Sequence, residues 1–279
     1  VTDQYAVFGN PIAHSKSPQI HRWFAEQTQQ DLSYQPILAP EEDFQGSAEA
    51  FFNQGGQGAN VTVPFKLDAL VFAEKLSPRA RRAGAVNTLQ KGKNEVIYGD
   101  NTDGAGLVRD LQGHLQLNLN NQRVLLVGAG GAARGVVEPL LEAGVASLKI
   151  ANRTPEKAQQ LVQIFHGLQP RAQVTACNWA GLEGQQFDLV INATSASLSG
   201  DLPPLPAGLF ATGATAYDMM YAARPTPFMQ WAEKQGAEQI SDGLGMLVEQ
   251  AAEAFFLWRQ VRPETSGVLQ RLRQEIQAG

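Results

Sequence analysis

Three groups of residues in this chain have the types and spacing to do chemistry. In Arg123 to Gly135, RVLLVGAGGAARG, an apolar run enters Gly128, Ala129, Gly130, Gly131, Ala132 and Ala133. Gly128 permits a tight turn, Gly130 lets backbone N–H groups approach a pyrophosphate, and Ala133 lets a helix pack closely on the preceding strand. A diphosphate would then sit on the positive end of the helix that starts near Gly131. A tight turn that binds nothing is the plainer alternative, and the flanking strand and helix patterns favour the dinucleotide. About 20 residues on, where an NAD site places an acid for the ribose 2′-hydroxyl, stand Asn152, Arg153 and Thr154. The planar fork of Arg153 suits a 2′-phosphate, and Lys157 adds a second charge one turn later. NADP is therefore expected over NAD. The alternative for this stretch is a solvated Arg153, with Thr154 capping a helix that Pro155 begins.

The second group is Asn60, Thr62 and Lys66, at and just past the alternating run Ala59 to Val63. Open parallel sheets place their ligands at such strand ends, although a lone lysine there is ordinarily a solvated side chain. The third group flanks helix starts. Ser15, Lys16 and Ser17 precede Pro18, so Ser17 reads as an N-cap and the helix start as a site for a carboxylate. Asp103, in GDNTDG, precedes the helical pattern Leu107, Val108, Leu111 and on its own is a helix-start charge. His14 and His21 have no partner pattern and read as structural.

The elements that must carry these groups follow from periodicity. Strands are expected at Tyr5 to Phe8, Ser33 to Ala39 and Ala59 to Val63, with helices at Phe44 to Phe52 and after Ser77-Pro78. AGAVNTL and Glu95 to Tyr98 form a hairpin around KGKN. From Val124 strands and helices alternate: Val124 to Val127, a helix from Gly131 to Glu142, Ser147 to Ala151, a helix after Pro155, Ala172 to Ala176, Phe187 to Ile191, Thr215 to Asp218 and a helix near Phe228 to Gln235. That is the order of a doubly wound α/β sheet. Asn192 to Ser195 fall at one more strand end near the expected cofactor site. Leu244, Leu247, Val248, Ala251, Phe255 and Trp258 mark a helix, followed by a second with Val268, Leu269, Leu272 and Ile276.

At 279 residues there is material for two domains. A net charge of −5 with no basic run argues against nucleic acid and anionic membranes. The single cysteine, Cys177, rules out an internal disulfide and thiolate metal clusters, and reads as a small core residue. With no basic-then-apolar leader and no run long enough to span a bilayer, a soluble cytoplasmic protein is expected, with no metal and a small-molecule substrate, as a monomer or homodimer.

Taken together, GNPIAHSKSP, NVTVPFK, GAVNTL, GDNTDG, GAGGAARG, NRT, NATS, the MMY of Met219 to Tyr221 and DGLGMLVEQAA resemble the shikimate dehydrogenase family, in that family's order from Gly9 to Ala252. The resemblance implies two α/β domains. The first, 1–103 plus 241–279, would bind substrate, with the C-terminal helices packed back on it; the second, 104–240, would be a Rossmann-type NADP domain. It implies NADPH-dependent reduction of 3-dehydroshikimate to shikimate, on the route to chorismate and the aromatic amino acids. By motif, Ser15 and Ser17 would hold the substrate carboxylate; Thr62, Asn87, Asp103 and Gln250 its ring hydroxyls, with Tyr221 nearby; and Lys66 would be the acid/base, with Asp103 as its orienter. Gly128 to Ala132, Asn152 to Lys157, Thr194, Met219 and Gly243 would line the NADP site. Lys157 departs from the arginine common in the family, and the basic segment Arg79, Arg81, Arg82 has no assigned role. Two rivals remain. A quinate/shikimate enzyme using NAD would carry an acid near position 152 or 153, and a silent NADP-binding regulator would have lost Lys66 or Asp103.

Overall fold

The computed structural model describes residues 2–168 and 171–278. It divides by packing into two units, Val1–Gly106 with Val248–Val268, and Leu107–Leu247 with Leu269–Gly279.

The first unit runs β1 (Asp3–Gly9), α1 (Ser17–Thr28), β2 (Leu32–Leu38), α2 (Phe44–Asn53), β3 (Gly56–Val61), α3 (Lys66–Phe72), β4 (Lys75–Leu76), α4 (Pro78–Ala83), β5 (Thr88–Lys91), β6 (Ile97–Asp100) and α5 (Asp103–Arg109). Its sheet has the order β2-β1-β3-β5-β6-β4. β1 lies parallel to β2 and β3, whereas β5 is antiparallel to β3 and to β6. That reversal positions the site. The chain leaves β1, β3 and β6 at the same end of the sheet at which it enters β5, because Asn60 pairs with Thr88 and Thr88 with Asp100. Phe8, Phe44, Phe51, Phe52 and Phe65 pack as a ring cluster on one face, contributing roughly 1.5–3 kcal/mol per buried side chain.

The second unit runs β7 (Arg123–Val127), α6 (Gly131–Glu142), β8 (Ser147–Ala151), α7 (Pro155–Phe165), β9 (Gln173–Cys177), β10 (Phe187–Asn192), β11 (Phe210–Asp218), α8 (Pro227–Lys234) and β12 (Gln239–Ser241). The boundary after Gly106 falls inside α5, and a π-helical turn, Asp110–His114, follows within the second unit ahead of β7. All six strands are parallel in the order β12-β11-β10-β7-β8-β9, the doubly wound Rossmann order, with its switch point between β7 and β10. Val124 to Val127 are fully buried, as a central strand requires. The two unit boundaries near the C-terminus fall inside α9 (Leu244–Arg259) and α10 (Ser266–Ala278). The residues after Val268 group with the second unit, where Arg273 forks onto Asp242 at 2.5 and 2.6 Å.

Several local expectations change. Ser17 is the first helical residue rather than the cap: Lys16 holds the cap position without a side-chain bond, and the Ser17 amide donates to Ser15 Oγ at 3.3 Å. Thr154 does cap α7 by position, but its hydroxyl does not bond the helix. β3 ends at Val61, leaving Thr62 and Val63 outside the strand. Cys177, expected in the core, packs against its edge: it is half-buried at the end of β9, and burial raises its thiol pKa. α3, β4 and β12 have no counterpart in the sequence-based elements. Among the described residues, no helix is long and apolar enough to cross a membrane.

Candidate active site

In the first unit the strand ends bring one group of polar side chains together. Lys66 opens α3, and its Nζ donates to Asp103 Oδ2 at 2.6 Å; the two side chains are 31% and 15% exposed. Thus the ammonium is held by one carboxylate oxygen and still open on another side. The other oxygen, Oδ1, accepts from Asn87 Nδ2 at 2.8 Å. Asn87 Nδ2 also donates to Thr102 Oγ1 at 2.9 Å and lies 3.4 Å from Gln250 Oε1 on α9. Its carbonyl oxygen accepts the Thr102 amide and the Thr88 hydroxyl, both at 2.9 Å. The amide orientation of Asn87 is thereby fixed from both ends.

The neighbouring strand ends add the rest. The Thr62 amide donates to Phe8 O at 2.9 Å, tying the end of β3 to β1. Asn60 donates to Thr88 Oγ1 at 3.1 Å and accepts from Tyr34 OH at 2.8 Å. Ser17 is buried and Ser15 half-buried at the start of α1. The first turn of α1 carries no acidic side chain, so the positive end of the helix beside Ser15 and Ser17 is unopposed towards an anionic group. His21, one turn into α1, is fully buried in an aromatic box. It stacks on Tyr34 at 4.2 Å beside Phe255 and Trp258, and neither ring nitrogen meets a hydrogen-bond partner. Burial lowers its pKa to about 3. It is structural, as expected; His14 is exposed.

In the second unit the residues past β7 and β10 flank the switch point. Gly128 has φ +108°, a conformation that favours glycine, and a Cβ there would lie 3.0 Å from Thr194 Cγ2. Thr194 is anchored by Asn192 Oδ1, which accepts its hydroxyl at 2.7 Å and its amide at 3.1 Å. At Gly130 and Gly131 a Cβ would meet nothing within 4 Å. α6 starts with Gly130 at the cap, no side-chain cap bond and no acid in its first turn. Open space above bare amides at a helix start fits a diphosphate, so this stretch passes as a cradle for NADP. Arg153, Thr154 and Lys157 are exposed past β8, and Asn152 is held to Thr154 O at 2.8 Å, leaving the Arg153 fork free to meet a phosphate. Met219 is buried, and a Cβ on Gly243 would lie 2.2 Å from its carbonyl oxygen, so Gly243 serves a close backbone approach. Tyr221 is half-buried; burial, with Asp242, raises its pKa. It belongs to the second unit, unlike the other expected substrate residues.

Sequence reasoning missed Thr102 and Tyr34, whose hydroxyls carry the hydrogen bonds around Asn87 and Asn60. Thr102 had the signal of a polar residue beside Asp103 past a strand end, whereas Tyr34, inside β2, had none.

A Rossmann unit with an open glycine turn and an α/β unit holding a lysine–carboxylate pair define a two-domain, dinucleotide-dependent oxidoreductase. Three family models match: shikimate dehydrogenase substrate binding domain over residues 7–89, shikimate/quinate 5-dehydrogenase over 110–199, and shikimate 5′-dehydrogenase C-terminal domain over 243–273. A shikimate dehydrogenase (NADP(+)) of Nitrosospira multiformis is 57% identical over 276 residues, covering 99% of each chain. Among solved structures, an Ael1 enzyme from Pseudomonas putida superposes with a TM-score of 0.91 at 47% identity, covering 97% of this chain and 98% of that one. A shikimate 5-dehydrogenase from Thermus thermophilus, in complex with NADP(H) and shikimate, superposes with a TM-score of 0.85 at 33% identity, covering 98% and 99%. The chain belongs to the shikimate dehydrogenase family.

Proposed function

We propose that this protein catalyses the reversible, NADPH-dependent reduction of 3-dehydroshikimate to shikimate, on the route to chorismate and the aromatic amino acids. The observation that carries the reading is the 2.6 Å pair of Lys66 and Asp103, ringed by Asn87, Thr102 and Gln250 at converging strand ends. It is supported by the matched family and by relatives named for NADP(+) and shikimate. Substrate recognition and acid/base chemistry belong to the first unit and NADP to the second. The protein is read as cytoplasmic, a monomer or homodimer.

Gly128 to Ala132, Thr194, Met219 and Gly243 would hold the dinucleotide, with Asn152 to Lys157 at its 2′-phosphate. Bound there, NADPH supplies the hydride. Reduction of the ketone leaves negative charge on its oxygen, which Lys66 Nζ stabilises and then protonates. In the reverse direction Lys66 takes that proton back. Asp103 holds the ammonium by one oxygen and is itself held by Asn87 through the other, so the donor is aimed before substrate arrives. Ser15 and Ser17 receive the carboxylate at the start of α1, and Thr62, Asn87, Asp103 and Gln250 read the ring hydroxyls, with Tyr221 as a further substrate residue.

The test is initial rate with shikimate and NADP⁺ set against NAD⁺, and quinate set against shikimate. Strong preference for NADP⁺ and shikimate is expected. Comparable rates with NAD⁺ or quinate would move the assignment to a quinate/shikimate enzyme, and no turnover in any pairing would leave a silent binder.

A further inference from the structure

The basic segment before GAVNTL divides sharply. Arg81 is exposed, whereas the Arg79 guanidinium lies between two acids that are remote in sequence. Its Nε and Nη2 take Asp100 bidentately, at 2.8 Å to Oδ1 and 2.7 Å to Oδ2. Nη1 and Nη2 both reach Glu253 Oε1 at 3.2 Å, while the other Glu253 oxygen accepts from Arg262. Asp100 is saturated: its Oδ1 also accepts the Ser77 hydroxyl at 2.5 Å and the Asn101 amide at 2.7 Å. Its side chain is 17% exposed and that of Glu253 11%. Burial alone would raise the Asp100 carboxyl pKa, but the Arg79 hydrogen bonds and charge, with Ser77 and the Asn101 amide, hold it below its ordinary value.

What the two acids carry gives this arrangement its meaning. Asp100 begins the segment that ends at Asp103. The segment is wound tightly: Asn101 Oδ1 accepts the Asp103 amide at 3.1 Å, Asn101 Nδ2 donates to Ala85 O at 3.1 Å, and the Asn87 amide donates to Asp100 O at 3.0 Å. Glu253 lies one turn after Gln250 on α9, on the same face of the helix. One planar cation therefore joins the segment that presents Asp103 to the helix that presents Gln250, with Asn87 between them. An ammonium could satisfy one of these acids but not span both in a fixed plane.

We infer that Arg79 is a positioning residue for the reaction: by bridging Asp100 and Glu253 it sets Asp103 against Lys66 and Gln250 against Asn87. The inference rests on the roles given above to Lys66 and Asp103. Arg79 touches neither substrate nor cofactor and acts through Asp103.

The test is a double-mutant cycle of Arg79→Met and Asp103→Asn in the intact protein, following kcat and both KM values with shikimate and NADP⁺, with Arg79→Lys and Arg81→Met alongside. Misplacing a catalytic group by an ångström lowers rate by about 10²-fold, so Arg79→Met should lose about that in kcat with KM for NADP⁺ unchanged. Arg79→Lys should regain part of it, and exposed Arg81→Met should match wild type. In the Asp103→Asn background, Arg79→Met should cost little more, because residues that act as a unit are not additive. A full further loss in that background, or a wild-type kcat in folded Arg79→Met, overturns the inference while leaving the proposed function standing. No shikimate turnover by the wild type would sink the proposed function, and this inference with it. If Arg79→Met does not fold, Glu253→Gln, which keeps shape and removes one leg of the bridge, carries the same cycle, with a several-fold loss in kcat expected and additivity again the overturning result.

Discussion

In the first unit the atoms proposed for the chemistry are side chains that already hold one another: Lys66 on Asp103, Asp103 on Asn87, Asn87 beside Gln250. In the second unit the atoms proposed for the cofactor are main-chain amides with open space above them, at Gly130 and Gly131, with exposed cations at Arg153 and Lys157. The contrast follows from the tasks. A proton donor must be aimed to within a fraction of an ångström before substrate arrives, so neighbours fix it. A diphosphate brings its own charge and asks mainly for donors at a helix start and for nothing in the way. The first kind of site fails when a side chain is lost, and the second when one is added.

That division is open to attack at three points. Lys66→Ala should have the largest effect, lowering kcat by about 10² to 10⁴ while NADPH binding, followed by the fluorescence of its reduced nicotinamide, stays as in wild type. Parallel loss of cofactor affinity would erase the distinction between the units. Arg153→Ala should do the reverse, weakening NADPH by about 10-fold or more, a charge-assisted hydrogen bond's worth, with NADH little changed. Equal losses for both cofactors would remove the phosphate contact. The last concerns stability rather than catalysis, and near neutral pH it vanishes. His21 in the first unit has its folded pKa lowered to about 3, so below its ordinary value near 6.5 the unfolded chain binds the proton and the folded one does not. His21 should therefore take stability away as pH falls from about 6.5 towards 3, by at most about 1.4 kcal/mol per pH unit. Chemical denaturation across that range should show a shallower slope for His21→Phe, which keeps the stack on Tyr34. An unchanged slope would mean that His21 takes no part in acid unfolding.

The second unit was the more legible of the two in the sequence. A buried strand, a glycine turn and a helix are consecutive, so Val124 to Glu142 announces itself within one window. The first unit's site draws on five stretches, and residue spacing alone left Lys66 a solvated lysine and Asp103 a helix-start charge; only the resemblance joined them. α3 escaped because it has seven residues and exposes Leu67 and Val71, so no apolar face repeats. The strands β4 and β12 are two and three residues long, too short to alternate visibly. Ser17 was misplaced by one position because Pro18 suits either of the first two helical positions. Nothing local could have singled out Arg79 from Arg81 and Arg82, since its partners lie 21 and 174 residues away.

The fixed amide of Asn87 sets a direction of donation inside the first unit's pocket. Its carbonyl is consumed by Thr88 and Thr102, so toward Asp103 it presents only N–H, while Asp103 presents only lone pairs. The two already meet at 2.8 Å, and Lys66 takes the other carboxylate oxygen, so what the cluster offers a newcomer is the remaining lone pairs of Asp103. A group that settles there must donate. A hydroxyl can, whereas an ether oxygen or a carbonyl would set one lone pair against another, so the carboxylate sorts ligands by whether they carry a proton to give and not merely by size.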